Sequence, residues 1–282
     1  VLVFVQNRFI LPSTSLAGLP WRTALRIRAE RLWFWRRHET VDRFLVQTES
    51  MRRSLQHGLR RSAPIDVVPF VPDTLLHSLS DRLGDAESLH VHPAEEPGRT
   101  FDFCYVASGE PHKNHRRLVA AWCELAASGS RPSLALTLDR GRFAALCAWI
   151  ETETRRHRLR ITNLGVCTES GIADLYRRSK ALVYPSLFES FGLPLLEAKA
   201  AGLPLVASER DYVRDVVVPA ETFDPESPRS ICAAVLRSLG RGSQGRDVPL
   251  PAVGARAFLQ VCLPGNRSAG HNAAPASPGR AA

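Results

Sequence analysis

Residues 182–208 read LVYPSLFESFGLPLLEAKAAGLPLVAS, and this stretch predicts strand, loop, helix, strand. Leu182, Val183 and Tyr184 form an apolar run that Pro185 ends. Ser186 to Phe191 form a loop. Gly192, Leu193 and Pro194 open a helix, and Pro194 suits the first helical turn, where a missing N–H loses no partner. Ala198, Lys199, Ala200 and Ala201 continue it with good helix formers. Gly202 stops it as a left-handed C-cap, and Leu203 to Ala207 form the next buried strand.

Two carboxylates bracket the start of that helix. Glu189 lies in the loop and Glu197 in the first turn of the helix. Helical side chains lean toward the N-terminus, so Glu197 is expected to point back at the same mouth. The mouth also offers free backbone N–H groups and the positive end of the helix dipole, which suit an anion. Phosphate on the amides and hydroxyls on the carboxylates together describe a nucleotide sugar.

The run E-S-F-G-L-P-L-L-E from Glu189 to Glu197 resembles the E-x7-E signature of retaining glycosyltransferases of the GT-B fold, the glycosyl transferases group one. The longer form is more specific than two spaced acids: PS before the first Glu, FGLP between, and EAxAxGLPLVAS after. The resemblance covers 101–239 well and 1–70 more loosely. It implies an α/β fold of GT-B architecture with two Rossmann-like parallel-sheet domains, the first only partly present. The implied divisions are an acceptor-side remnant at 1–70, a linker at 71–100, a nucleotide-sugar domain at 101–239 and a disordered tail at 240–282.

Composition agrees with a folded chain. Of 282 residues 44% are hydrophobic, enough for packed cores. No apolar run reaches the ~20 residues of a membrane helix, and no signal-peptide pattern opens the chain. The chain starts on Val1 and its one methionine is Met51, so a fragment that begins inside a domain is expected. Six scattered cysteines without a CxxC pair predict free thiols in a reducing cytosol. Net charge is +9. Residues 1–61 hold twelve arginines against four acids, a net +8 that accounts for nearly all of it. Arginine outnumbers lysine 34 to 3, a skew assigned to base composition.

Val1 to Val5 predicts a buried strand, with Gln6, Asn7 and Arg8 at its end. Ligands of parallel sheets gather beyond the carboxyl ends of strands. In the resembled family a histidine or other polar residue sits here near the reacting sugar, which implies a catalytic place for Asn7 or Gln6. An ordinary strand-end turn explains these residues equally well. Trp21 to Glu39 predicts a helix with six arginines beside Trp21, Trp33, Phe34 and Trp35. Two readings stay open: peripheral contact with an anionic membrane, or a solvated basic face with aromatics packed inward. Nucleic acid is not expected, because no motif for it accompanies the charge. Arg43 to Gln47 and Ile65 to Phe70 predict two more strands, with a helix between them that Thr48 caps and that ends near Gly58. His90, His92, Glu95 and Glu96 fall on the expected linker without fixed geometry, and no Asp-x-Asp occurs, so no metal and no other cofactor is expected.

Phe101 to Ala107 predicts the first strand of the second domain. The turn Ser108-Gly-Glu-Pro-His-Lys113-Asn114 follows, then a helix with Leu118, Val119, Trp122 and Leu125 on one face. The turn is similar to the family's first βα turn, where an arginine and a lysine five residues later commonly clamp a diphosphate. Lys113 matches. Ser108 stands at the arginine position and offers a hydroxyl without charge; a weaker clamp and a substituting arginine are both open. Further strands are expected at 134–138, 161–164 and 181–184, alternating with helices near 141–154 and 169–179. Gly165 and Val166 form the turn where the family holds the nucleotide base. Ser227 is expected to cap a last helix at 228–239.

The resemblance thus implies a retaining transferase moving a hexose, with GDP-mannose as the expected donor, onto a glycan or lipid-linked acceptor. Ser108, Lys113, Gly165, Val166, Ser190, Phe191, Gly192 and Leu193 would bind the donor. Glu197 would take ribose hydroxyls, and Glu189 would bind and orient the sugar. The expected setting is bacterial and cytoplasmic, peripheral on the inner membrane face. Two competitors remain: a non-catalytic nucleotide-sugar-binding fragment, and a hydrolase with Glu189 and Glu197 as acid and base. Hydrolase carboxylates flank the scissile bond from opposite sides, whereas these share one helix mouth.

Overall fold

Short, largely apolar strands alternate with helices along the chain, and parallel strands of this kind are covered by helices above and below. The computed structural model describes residues 1–73, 75, 99–240, 258 and 262. They form two parallel sheets. The smaller has the order β1-β2-β3, from β1 (Leu2–Phe4), β2 (Arg43–Val46) and β3 (Ile65–Val67). Helices α1 (Trp21–Arg37) and α2 (Glu49–Gly58) connect them. The Thr48 side chain accepts from the Met51 N–H, as expected of an N-cap.

The larger sheet holds β4 (Phe101–Tyr105), β5 (Leu134–Leu136), β6 (Ile161–Asn163), β7 (Ser179–Tyr184), β8 (Leu205–Ser208) and β9 (Glu221–Phe223). Its helices are α3 (His115–Ala127), α4 (Ala144–His157), α5 (Glu169–Arg177), α6 (Leu193–Ala200), α7 (Asp211–Arg214) and α8 (Pro228–Gly240). The strand order is β6-β5-β4-β7-β8-β9, and every pairing is parallel. The chain therefore builds outward from β4 to β6, returns, and builds out the other way from β7. The reversal between β4 and β7 opens a crevice at their carboxyl ends, the place where ligands of such sheets gather.

The core forms where periodicity puts it. Leu118, Val119, Trp122 and Leu125 are all buried on α3, and Trp122 meets Phe103 edge to face at 5.7 Å. Ala181 to Tyr184 are buried without alternation, as in a strand covered on both faces. Gly192 (φ +86°) and Gly202 (φ +74°) take left-handed conformations at the two ends of α6, where a side chain would strain the backbone. The helix expected at 141–154 instead runs 144–157. Residues 139–143 form a turn because the Asp139 carboxylate accepts the N–H groups of Gly141 and Arg142 at 2.8 and 3.1 Å, which competes with helix.

The expected linker lies almost wholly outside the described residues, and His90, His92, Glu95 and Glu96 with it. So does most of the tail. Phe258 and Cys262 are described, and both are helical, contrary to the expected disorder at those positions. An apolar contact explains this at Phe258: its ring packs at 4.9 Å against Phe4 of β1 and against Phe70. All six cysteines are unpaired. No helix among the described residues is long and apolar enough to cross a membrane.

Candidate functional site

Two loops face each other across the β4/β7 crevice. One leaves β4 and ends in a tight turn at Pro111–Lys113. The other leaves β7 and runs to α6. Asn114 ties them together. It adopts φ 63°, a left-handed conformation that asparagine tolerates. Its buried amide donates to the carbonyls of Pro185 and Pro225 at 3.0 and 2.7 Å.

Lys113 Nζ donates to both carboxylate oxygens of Glu189, at 2.7 and 2.9 Å. The two side chains are only 16% and 11% exposed, so the pair is largely shielded from solvent and its geometry is fixed. The hydroxyl of Tyr184, the last residue of β7, adds a third hydrogen bond to Glu189 at 3.1 Å. Tyr105, at the end of β4, donates to the Lys113 carbonyl at 2.7 Å, and Tyr212 donates to the Ser186 carbonyl at 2.9 Å. Burial pushes all three phenols well above their ordinary value, so they remain donors.

The small sheet holds the same loop from the other side. The Arg8 backbone N–H donates to Ser190 Oγ at 3.1 Å, and its guanidinium donates to the Glu189 carbonyl at 3.1 Å and to Asp211 at 3.1 Å. The Ser50 N–H donates to Asp215 at 2.7 Å. Between the sheets lies a cavity of about 290 Å³ lined by Gln6, Asn7, Arg8, Glu189 and Ser190 with three rings, Phe9, His112 and Phe188. His112 stacks on Phe188 at 4.8 Å, and Phe9 meets both edge-on. Burial holds His112 below the ordinary histidine value, against the pull of Glu189. Asn7 lines this cavity, but its side-chain oxygen accepts the Phe9 N–H at 3.0 Å. That bond is the strand-end turn open in the sequence, and the amide nitrogen and the second lone pair of the oxygen keep hydrogen-bonding capacity.

A second cavity, about 390 Å³, lies beyond β4 and β5. Ser108, Lys113, Thr137, Asp139, Arg142 and Val166 line it, and Pro194 of α6 reaches it. Ser108, Lys113 and Val166 thus line one cavity. Gly165 is next in chain, with its N–H bonded to the Asn163 side chain at 3.1 Å. Phe191 and Gly192 are buried at the start of α6, and Leu193 is its first residue. Glu197 lies in the second turn and not the first, because the helix begins at Leu193, and its Oε2 accepts the hydroxyl of Tyr176 on α5 at 2.9 Å. Burial lifts its pKa above the usual carboxylate value, opposed by that hydrogen bond.

Sequence reasoning missed Tyr184, Phe188, His112 and Arg142, and placed Arg8 at a strand end without its contact to Glu189. Tyr184 carried a signal, since it closes the strand that leads into the Glu189 loop. Arg142 carried none, because the pairing of β4 with β5 brings its turn to Ser108.

A switch-point crevice with a lysine and a paired glutamate, roofed by a second parallel sheet, belongs to the two-domain GT-B architecture. The glycosyl transferases group 1 model matches residues 90–242; the chain belongs to that family. It is 34% identical over 139 residues to the O-antigen chain mannosyltransferase B of Escherichia coli, covering 48% of this chain and 36% of the relative. It is 32% identical over 139 residues to the serotype-specific mannosyltransferase WbdA of Escherichia coli, covering 47% of this chain and 16% of the relative. Among solved structures, Anabaena Alr3699/HepE in complex with UDP and glucose superposes with a TM-score of 0.59 at 14% identity, covering 84% of this chain and 61% of that one. The chain thus spans well under half the length of these two mannosyltransferases.

Proposed function

We propose that this chain forms the donor side of a retaining hexosyltransferase that takes a sugar from a nucleoside diphosphate. The observation that carries the reading is the Lys113–Glu189 pair at the β4/β7 switch point, beside the start of α6. Lys113 and the helix N-terminus supply positive charge where a leaving diphosphate gains negative charge, the device most effective for such a step. The Glu189 carboxylate is held by Tyr184 and its backbone carbonyl by Arg8, and in this reading that carboxylate takes sugar hydroxyls. Glu197 would take ribose hydroxyls, and no metal is needed for this reading. Mannose is the sugar favoured by the named relatives.

Calorimetric titration of the 282-residue chain with GDP, UDP and ADP tests this. Binding of one nucleotide in the micromolar range, weakened in Glu197→Ala, supports the donor site and names the base. Absence of binding to all three at millimolar concentration overturns it. Preference for UDP would replace mannose from GDP-mannose with another hexose.

The acceptor side is proposed to meet an anionic membrane through α1. Ile27 and Phe34 are buried on one face of this helix. On the opposite face Trp21, Leu25 and Leu32 are 71%, 58% and 54% exposed, with Trp33 at 68%. Their spacing puts the first three in one stripe, and exposed Arg22, Arg28 and Arg36 flank it. Each arginine near an anionic surface contributes about 1 kcal/mol. Co-sedimentation with phosphatidylglycerol vesicles, but not with phosphatidylcholine vesicles, and its loss in Trp21→Ala/Trp33→Ala are the expected results. Equal binding to both lipids would sink the electrostatic part.

A further inference from the structure

Glu110 is the fifth residue of the loop after β4, and the bonds it makes are those of a bound anion. Its Oε2 accepts the hydroxyl of Ser108, and its Oε1 accepts Arg142 Nη2 at 2.9 Å. Ser108 and Arg142 both line the cavity beyond β4 and β5. A hydroxyl and a guanidinium therefore converge from two loops on one carboxylate at the edge of that cavity. The guanidinium fork suits carboxylate and phosphate alike.

The turn carrying Arg142 is pressed onto this loop. A Cβ on Gly109 would lie 2.5 Å from the ring of Phe143, so only glycine permits the approach. The Arg142 guanidinium lies 5.1 Å from the centre of the same ring. The turn's own acid, Asp139, uses Oδ1 for the N–H groups of Gly141 and Arg142.

Two cations line the cavity, Lys113 and Arg142. Lys113 is committed to Glu189 through both carboxylate oxygens and is mostly shielded from solvent. Arg142 is 67% exposed and is held by Glu110. A weakly shielded ion pair exchanges partners at little cost, so Arg142 is the cation more readily released to an incoming anion.

We propose that Arg142 is the second phosphate-binding cation of this cavity, and that Glu110 is an internal anion which the phosphates of a nucleoside diphosphate displace from Arg142 and Ser108. The inference rests on the donor-site reading above and adds to it a residue and a competing group. It also predicts that affinity in the free chain is set below its limit by Glu110, because part of the binding energy goes into breaking two hydrogen bonds.

Calorimetric titration with the tighter-binding of GDP and UDP tests it on the wild type, Arg142→Ala, Arg142→Lys, Glu110→Gln and the Arg142→Ala/Glu110→Gln double variant. Loss of a charge-assisted phosphate contact weakens binding about tenfold in Arg142→Ala. Arg142→Lys recovers part of that loss, since it restores charge without the fork. Glu110→Gln tightens binding about threefold by removing the competing charge. In the double variant this gain disappears, leaving the affinity of Arg142→Ala. Thermal melting checks that each variant is folded; Arg142 is exposed, so an unchanged midpoint is expected.

Wild-type affinity in Arg142→Ala overturns the inference and leaves the donor site standing, provided that Lys113→Ala abolishes binding. Independent effects of the two substitutions overturn the role of Glu110. If the wild type binds no nucleotide, the donor reading falls and takes this inference with it.

Discussion

Glu189 and Glu197 stand eight residues apart, at the two ends of one short segment, yet the molecule treats them differently. Glu189 takes three hydrogen bonds to its carboxylate from two elements, and its backbone carbonyl is held from the small sheet. Glu197 takes one, from Tyr176. The first is a paired anion. The second is a carboxylate whose burial raises its pKa. The difference teaches that the segment is prepared unevenly: its Glu189 end is already fixed by partners, and its Glu197 end holds a carboxylate with acceptor capacity to spare.

Substituting the partner of Glu189 is the strongest way to break this contrast. Lys113→Met leaves a mostly buried carboxylate facing Tyr184 without its counter-charge. Removing one partner of such a pair costs about 3 kcal/mol. Urea unfolding should show that loss, and Lys113→Met/Glu189→Gln should recover much of it. A loss below about 0.5 kcal/mol would mean that the pair behaves as a surface ion pair, and the contrast would fail.

A pH titration sharpens the contrast, because a buried base stands just behind the Glu189 loop. His115 opens α3, its ring lies 4.9 Å from that of Tyr105, and neither ring nitrogen has a hydrogen-bond partner among the described residues. Burial, then the nearby charges of Lys113 and His112, push its pKa down to about 3 from 6.5. The unfolded chain takes up a proton below 6.5 that the folded chain refuses. Stability from this source is complete above pH 6.5 and falls as pH drops toward 3, by about 1.4 kcal/mol per unit. His115→Phe should flatten that slope, by about 2 kcal/mol at pH 5. Equal slopes in the two proteins would show that His115 is hydrated.

How legible this was depends on which interactions are local. The segment from strand to loop to helix to strand could be read because apolar runs, Pro194 and the glycines act on their neighbours in sequence. Thr48 as a cap and the buried face of α3 were equally local. Parallel pairing followed from the alternation of strands and helices. The support of Glu189 was not legible, since Arg8 is 181 residues away and meets it only after two sheets dock. Arg142 was hidden for the same reason. Asn7 shows the converse: its local turn was readable, and the Phe9 N–H bond to its side-chain oxygen is that turn. Phe258 escaped because its partners, Phe4 and Phe70, lie on the far side of the sequence.

The smallest effect on stability is expected at Glu197, and it is the most informative about function. Its pKa is raised in the fold, so its contribution is fully present below the unfolded value and is lost as pH rises through the folded one. Glu197→Gln removes that loss and keeps the Tyr176 hydrogen bond, since the amide oxygen still accepts. Unfolding free energy at pH 7 should therefore change by less than about 0.5 kcal/mol, toward greater stability. Nucleotide binding should move the other way. A carboxylate accepts from two ribose hydroxyls, whereas an amide presents a donor to one of them, which costs about tenfold in affinity. In the wild type that affinity should also fall on acidification at a pH above the ordinary glutamate range, and in Glu197→Gln this step should vanish. A variant that is slightly more stable, binds nucleotide more weakly and has lost the acid step would place the hydroxyl contact at Glu197. Unchanged affinity would leave Glu197 as a partner of Tyr176 alone and make the uneven segment a matter of packing.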